Sequence, residues 1–310
     1  MAVRTRCAVR SFASVTLAVV SLALVLAAVA AALPSQYTIP GDDVFPEGVS
    51  LRPGTDQFFV SSTNTGTIYR GTLGKPRLKV FLPSGKDGRA VANGVRAGKD
   101  HLVVAGSVTG YIFVYDYSGR LRHRFATGSG GLINDVAIAP NGDVYATDST
   151  RGVLFRISAR AAAKRTTATS RLRPFLDLRQ TPIGSYCNGI VPAGDRHLLV
   201  VGLSTGVLGR VDLKTKRVRA VEGVSLPAGD GLARTGRTLY GVTLGSRVTQ
   251  VKLSGDWLHG RTVRQITSPT FRLPTTVQIA GERLLVVNSQ FDKRGKTPDL
   301  PFTVSAVRRP

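Results

Sequence analysis

Cysteine is all but missing from this chain. Of the two present, Cys7 lies in the N-terminal leader described below, which leaves Cys187 alone. No intramolecular disulfide is then available, and stability has to come from the packed core. Cys187 reads as a small packed residue beside a strand, since free cysteine is among the most buried residue types. Histidine is also scarce: His101, His123, His197 and His259 are spread along the sequence with no two clustered. Such spacing gives no support to a redox metal site, which draws heavily on imidazole. Acidic residues are few, 19 Asp and Glu against 42 Lys and Arg, for a net charge of +23. That excess suggests association with polyanions or a cell surface. Yet the basic residues fall in short loop groups such as Lys75-Pro76-Arg77 and Arg308-Arg309. No recognition helix or basic-aromatic stripe accompanies them, so no specific nucleic acid is expected as a partner.

Long apolar runs are confined to the N-terminus. Residues 14–33 contain no charge, follow Arg4, Arg6 and Arg10, and end in Ala27-Ala28-Val29-Ala30-Ala31-Ala32. Residues 1–32 therefore read as a secretory signal with an A-x-A-like cleavage site. Left uncleaved, the same stretch approaches the ~20 residues that span a bilayer and would act as an anchor. Either outcome places residues 34–310 outside the cytoplasm, secreted or tethered. Without the three leader arginines the net charge is +20. The remainder is long for an average domain but ordinary for a closed all-β architecture. One domain is expected, monomeric and with no integral membrane partner.

What the chain does have is a register that recurs six times. A polar residue is followed by a small or polar one and then by an aliphatic residue that opens a short apolar run. The slots are Glu47-Gly48-Val49, Asn93-Gly94-Val95, Asn134-Asp135-Val136, Asn188-Gly189-Ile190, Asp230-Gly231-Leu232 and Thr275-Thr276-Val277. They are separated by 46, 41, 54, 42 and 45 residues. A second apolar run follows each slot, at 57–61, 101–105, 143–147, 197–201, 238–242 and 283–288. A period of this length filled with strand-like segments is the mark of β-propeller blades, six of them here. The fold class is all-β, a six-bladed propeller over residues 34–310 preceded by the signal.

Hairpin turns divide the first two strands of each blade, most plainly at Pro140-Asn141-Gly142-Asp143, where Asn and Gly tolerate positive φ. Third strands follow at 67–70, 111–115, 153–157, 207–211 and 247–253. Candidate fourth strands are 78–82, 121–126 and 218–221. Residues 159–171 read as a surface excursion with one helical turn. In the sixth blade 302–307 supplies the third strand, and 37–39 can supply the fourth, closing the ring and removing exposed edges.

If each slot opens the innermost strand of its blade, six polar side chains converge on one mouth of the channel. The hairpin turns are occupied by separate motifs, so no turn requires the slot dipeptides. Glu47, Asn188 and Asp230 would offer hard oxygen ligands to one divalent cation, calcium first, with magnesium, manganese or zinc as alternatives. Asn134 would add a further amide beside them, Asn93 would face the substrate, and Asp148, at the end of a second strand, would support the ligands from behind. A carboxylate beside the ion could take a proton from water while the ion polarises an ester or lactone carbonyl.

The phrases Phe45-Pro46-Glu47-Gly48, Asn134-Asp135-Val136 through Pro140-Asn141-Gly142, Asn188-Gly189-Ile190 and Gly229-Asp230-Gly231-Leu232 resemble those of one family. It is the senescence-marker-protein, gluconolactonase and luciferin-regenerating-enzyme family of six-bladed propellers, and the likeness runs through residues 34–310 in blade order. The resemblance implies that Glu47, Asn188 and Asp230 bind the metal and that Asn134 contacts its water or the substrate. It further implies that Asp230 is the general base of lactone hydrolysis. Two positions depart from the family: Leu132 stands where an arginine is usual, and Val49 and Ser50 where an aromatic is common. Both point away from a sugar acid and toward a more apolar lactone, an ester, or no turnover at all.

Gly202-Leu203-Ser204-Thr205-Gly206 fits the nucleophile-elbow pattern, but that elbow needs a strand-to-helix turn. Here it aligns with turns between second and third strands, such as Val108-Thr109-Gly110. The leading reading is an exported metal-dependent lactone or ester hydrolase. The alternative is a non-catalytic propeller scaffold with a structural ion and a basic surface, since one fold hosts many functions.

Overall fold

The computed structural model describes residues 33–310, and the signal read at 1–32 lies outside the described residues. Among the described residues an opening strand, β1 (Gln36–Ile39), precedes five four-stranded antiparallel units and a three-stranded one that it completes. The first unit is β2 (Pro46–Leu51), β3 (Gln57–Ser62), β4 (Ile68–Thr72) and β5 (Lys75–Leu82). The second is β6 (Val95–Ala97), β7 (Leu102–Ala105), β8 (Tyr111–Tyr115) and β9 (Leu121–Ala126). In the third, β10 (Ile133–Ile138), β11 (Val144–Asp148) and β12 (Val153–Ile157) are followed by the single-turn helix α1 (Ala159–Ala162). Next comes β13 (Thr169–Arg171), which leaves the unit to pair in parallel with β9, and β14 (Pro174–Asp177) completes the third unit. The fourth is β15 (Cys187–Ala193), β16 (His197–Gly202), β17 (Leu208–Asp212) and β18 (Val218–Ala220). The fifth is β19 (Leu232–Thr235), β20 (Thr238–Thr243), β21 (Arg247–Leu253) and β22 (Gly260–Ile266). Finally β23 (Pro274–Ala280), β24 (Arg283–Asn288) and β25 (Phe302–Arg308) take β1 as their fourth strand, with Gln36 opposite Ser305 and Ile39 opposite Phe302.

The closure expected of residues 37–39 is thus present, and β1 goes further by touching β5 through Thr38 and Arg77. First strands pack in a cycle: β2 against β6, β6 against β10, and so on through β15, β19 and β23 back to β2. The architecture is all-β and propeller-like.

Second strands explain how the units stack. In β16, Leu198 and Val200 enter the apolar cluster shared with the third unit, while Leu199 and Val201 enter the one shared with the fifth. Side chains alternate between the faces of a strand, so a strand covered on both sides reads as an unbroken apolar run. Six apolar clusters result, one between each neighbouring pair of units. Cys187 lies in one of them, fully buried, with its thiol pushed up to about 12 by desolvation.

Candidate metal centre and catalytic cavity

The slot residues owe their direction to local irregularity. In four units the first strand carries one extra residue against the second, between Pro46 and Val49, Ile133 and Val136, Cys187 and Ile190, and Pro274 and Val277. Each bulge spans a slot, and a bulge re-aims side chains out of the regular alternation. In the second and fifth units Asn93-Gly94 and Asp230-Gly231 stand just ahead of β6 and β19. Three residues two positions before a slot, Phe45, Ala228 and Leu273, have positive φ. Such a backbone costs a non-glycine residue on the order of 1–3 kcal/mol and persists only where the surroundings enforce it.

Slot glycines allow neighbouring units to meet. A Cβ on Gly94 would lie 2.6 Å from Asp135 Oδ1 and 2.7 Å from the Asn134 carbonyl, and one on Gly48 would lie 2.8 Å from the Val95 nitrogen. The space is used for bonds between units: Gly94 N donates to Asn134 O at 2.6 Å, and Gly231 N to Thr275 O at 2.9 Å. Thr275 Oγ1 donates to Glu47 O at 3.0 Å, joining the sixth unit to the first.

The result is a cavity of about 640 Å³ lined by Glu47, Asn93, Asn134, Asn188 and Asp230 together. Residues up to 183 positions apart in sequence therefore share one site, as the register requires. Asp148 does not line it. That carboxylate is fully buried, bonded to Arg151 Nε at 2.7 Å and to the Leu132 N–H at 3.1 Å, so it fixes the backbone of a wall residue. Asn134 is engaged on both amide atoms, receiving Asn93 Nδ2 at 3.4 Å and donating to Ser149 Oγ at 2.9 Å.

Glu47, Asn188 and Asp230 are bound differently. Among the described residues, Glu47 Oε2, Asn188 Oδ1 and Asp230 Oδ1 are buried without any hydrogen-bond partner. Buried oxygens are almost always paired, and leaving one unpaired costs roughly 1–3 kcal/mol, more if it is charged. Three such atoms on three different units facing one cavity form an oxygen donor set of the kind a hard divalent cation takes. The described residues contain no group of three or more His, Cys, Asp or Glu placed to hold a metal. The donor set here depends on an amide oxygen for its third member.

Electrostatics agree with that donor set. Burial raises the Glu47 carboxyl well above its usual range, with further upward pushes from Asp230 and Asp135. Burial, then the Asp135 charge, raises Asp230 to about 7, opposed by the Asn188 side chain and the Gly231 N–H. Asp135 is the member that the sequence reading passed over. It is buried, accepts from Val136 N at 2.8 Å and Ile190 N at 3.2 Å, and is itself raised by desolvation. Its signal was available, because it occupies a slot position that is glycine in four other units.

The walls are apolar. Val91, Leu132 and Tyr186, each two residues before a slot, form a collar with Val108, Leu203 and Phe291. Among the described residues Arg294 is the one cation at the cavity; its guanidinium donates to Thr63 Oγ1 and lies 4.2 Å over the Phe291 ring. Ser204 also lines the cavity, but on a turn between β16 and β17, and none of the described histidines lines it. The turn residues could have been found as a register of their own, 14 to 16 positions after four of the slots, those at 47, 93, 188 and 275.

No family model and no curated protein matches the chain. Solved structures do. A gluconolactonase from Xanthomonas campestris superposes with a TM-score of 0.64 at 15% identity, covering 89% of each chain. The calcium-binding protein regucalcin from Agrobacterium tumefaciens gives 0.59 at 14% identity, covering 88% of this chain and 97% of its own. Virginiamycin B lyase from Staphylococcus aureus gives 0.58 at 11%, covering 88% and 98%. At these identities the likeness establishes a shared propeller-like fold.

Proposed function

We propose that this chain is an exported six-bladed propeller that hydrolyses a lactone or related ester with the help of one divalent cation, calcium first, bound at its channel mouth. The observation that carries the reading is the set of three partnerless buried oxygens on Glu47, Asn188 and Asp230. The gluconolactonase and the calcium-binding protein among the fold neighbours support it.

When bound, the ion would polarise the scissile carbonyl and acidify a water. Each residue then has a task. Asp230, with a carboxyl near 7, is poised to take a proton from water at working pH. Asn134 and Asn93, already bonded to each other, present amide groups toward the substrate's oxygens. The collar of Val91, Leu132 and Tyr186 excludes water and suits an apolar ring or chain. A lyase is among the neighbours, and one solved form is a catalytically inactive histidine-to-alanine variant. None of the described histidines lines the cavity here, which favours hydrolysis by a carboxylate base. The signal read at residues 1–32 would carry the chain out of the cytoplasm, where its +20 charge can hold it near anionic surfaces.

The test is a panel of apolar lactones, sugar lactones and aryl esters assayed with calcium, magnesium, manganese and zinc, before and after chelation. Turnover that vanishes on chelation and returns with an ion is the expected result. Binding of the ion without turnover of any substrate would replace the enzyme with the scaffold reading.

A further inference from the structure

The first strands run from the carboxylate-lined cavity to a second one at the opposite mouth. Three residues beyond Asn93 stands Arg96, and four beyond Asp230 stands Arg234, at about 3.3 Å per residue a displacement of roughly 10 Å or more along the strands. Both line a cavity of about 310 Å³ with Pro140, Pro192 and Gln278. Arg96 belongs to the second unit and Arg234 to the fifth, which face each other across a cycle of six.

Each guanidinium is held from behind. Arg96 Nε donates to the Val136 carbonyl at 3.1 Å, and Arg234 Nε to the Pro192 carbonyl at 2.6 Å. Arg234 also donates Nη1 to Gly236 O and lies 5.0 Å from the centre of the Trp257 ring. Both Arg96 terminal nitrogens and Arg234 Nη2 have no hydrogen-bond partner among the described residues. Ten ion pairs occur elsewhere among those residues, yet no carboxylate lies within 4.0 Å of either arginine. The Arg96 charge acts on the buried Asp135 carboxyl to lower its pKa, and both of the Asp135 oxygens are already bonded to backbone N–H groups. Burial lowers the Arg234 pKa with no opposing charge. Arginine fixed by Nε and open at its terminal nitrogens is arranged for bidentate capture of an oxyanion.

We infer that this second mouth is an anion site for a phosphate group, with Arg96 and Arg234 gripping it from opposite sides of the channel. Phosphate suits the pair better than a single carboxylate does. A dianion balances two guanidinium charges, and a tetrahedral group directs oxygens to both sides at once. The group is either the free ion or the terminal monoester of a small molecule that fits the cavity.

Titration calorimetry of the full chain with inorganic phosphate, at ionic strength held constant with chloride, tests this. A saturable single site is expected, weakened roughly tenfold to a hundredfold by either Arg96→Gln or Arg234→Gln, the loss expected of a charged hydrogen-bonded contact. Arg96→Lys, which keeps the charge but loses the fork, should also weaken it. Arg308→Gln, at the C-terminal end of β25, and Glu47→Gln, in the other cavity, should leave it unchanged. Circular dichroism checks that each variant is folded, and Arg96→Gln decides the matter should Arg234→Gln fail to fold. Glycerol 3-phosphate binding as tightly as phosphate assigns the site to monoesters, and its exclusion assigns it to the free ion. Unsaturable heat, or an equal loss in Arg308→Gln, would mean generic attraction to a polycation and would overturn the proposal.

Discussion

Asp230 and Ser204 line one cavity, yet their surroundings suit them to different work. Burial, and then the Asp135 charge, lifts Asp230 to about 7, and one of its oxygens has no partner among the described residues. Ser204 sits on a turn with no histidine at the cavity to activate it. Asp230→Asn keeps an oxygen donor while removing the proton acceptor. Turnover of the best lactone should then fall about 100-fold to 10,000-fold, the range for loss of a general base, with a smaller loss of calcium affinity by calorimetry. Ser204→Ala should leave turnover almost intact. The reverse pattern would move the chemistry from the slots to the turn. Residue identity at the slots was legible in the sequence because spacing alone brings them together. The odd slot position of Asp135 was legible as well, but its effect on the slot carboxylates was not, because period says which residue opens a strand and nothing about which buried charge stands beside which.

Bulged first strands and slot glycines are the devices that build the site at the level of the element. A Cβ at Gly189 would press on the Asp230 carbonyl and come 3.0 Å from Leu232 N, both backbone atoms of the next unit. Gly74, in the turn between β4 and β5, has nothing within 4 Å. Gly189→Ala is therefore expected to destabilise by about 1–3 kcal/mol, as overpacking does, and to weaken ion binding by displacing Asp230. Gly74→Ala should be neutral or stabilise by up to about 1 kcal/mol through the unfolded chain. Urea denaturation with and without calcium reads both, and equal effects at the two positions would remove the close-approach argument. Second and third strands were legible to within a residue or two, for example 197–201 against His197–Gly202. The parallel pairing of Thr169–Arg171 with β9 was not, since that short polar segment carries no alternation and is placed by a neighbouring unit. The arginines at the far mouth were hidden for a similar reason, as their meaning depends on two strands 138 positions apart meeting across a channel.

At the scale of the whole molecule the ring has no disulfide, and β1 pairs the chain's opening strand with its last. An ion held by Glu47, Asn188 and Asp230 would add a tie between the first, fourth and fifth units. Its effect should depend on pH with a definite sign. Glu47 and Asp230 have folded pKa values raised above the ordinary carboxylate range, so their neutral forms are favoured by folding. The stability that Asp230 contributes is complete below about pH 4 and is lost as pH rises through about 7, and that of Glu47 is likewise lost as pH rises through its own raised range. His123 and His197, lowered by burial, act in the opposite direction as pH falls below the ordinary imidazole range of about 6.5, because their neutral forms are the ones that folding favours. Comparison with Glu47→Gln cancels the histidines. Relative to that variant, the ion-free wild type should lose thermal stability from pH 5 to pH 8. Calcium should restore it most at pH 8, where protons no longer compete for the ligands. At a hundredfold excess over its dissociation constant the ion would contribute about 2.7 kcal/mol, and Glu47→Gln should lose most of that gain. A wild-type midpoint that tracks Glu47→Gln at every pH and ignores calcium, magnesium, manganese and zinc alike would leave the three unpaired oxygens without a cation to hold.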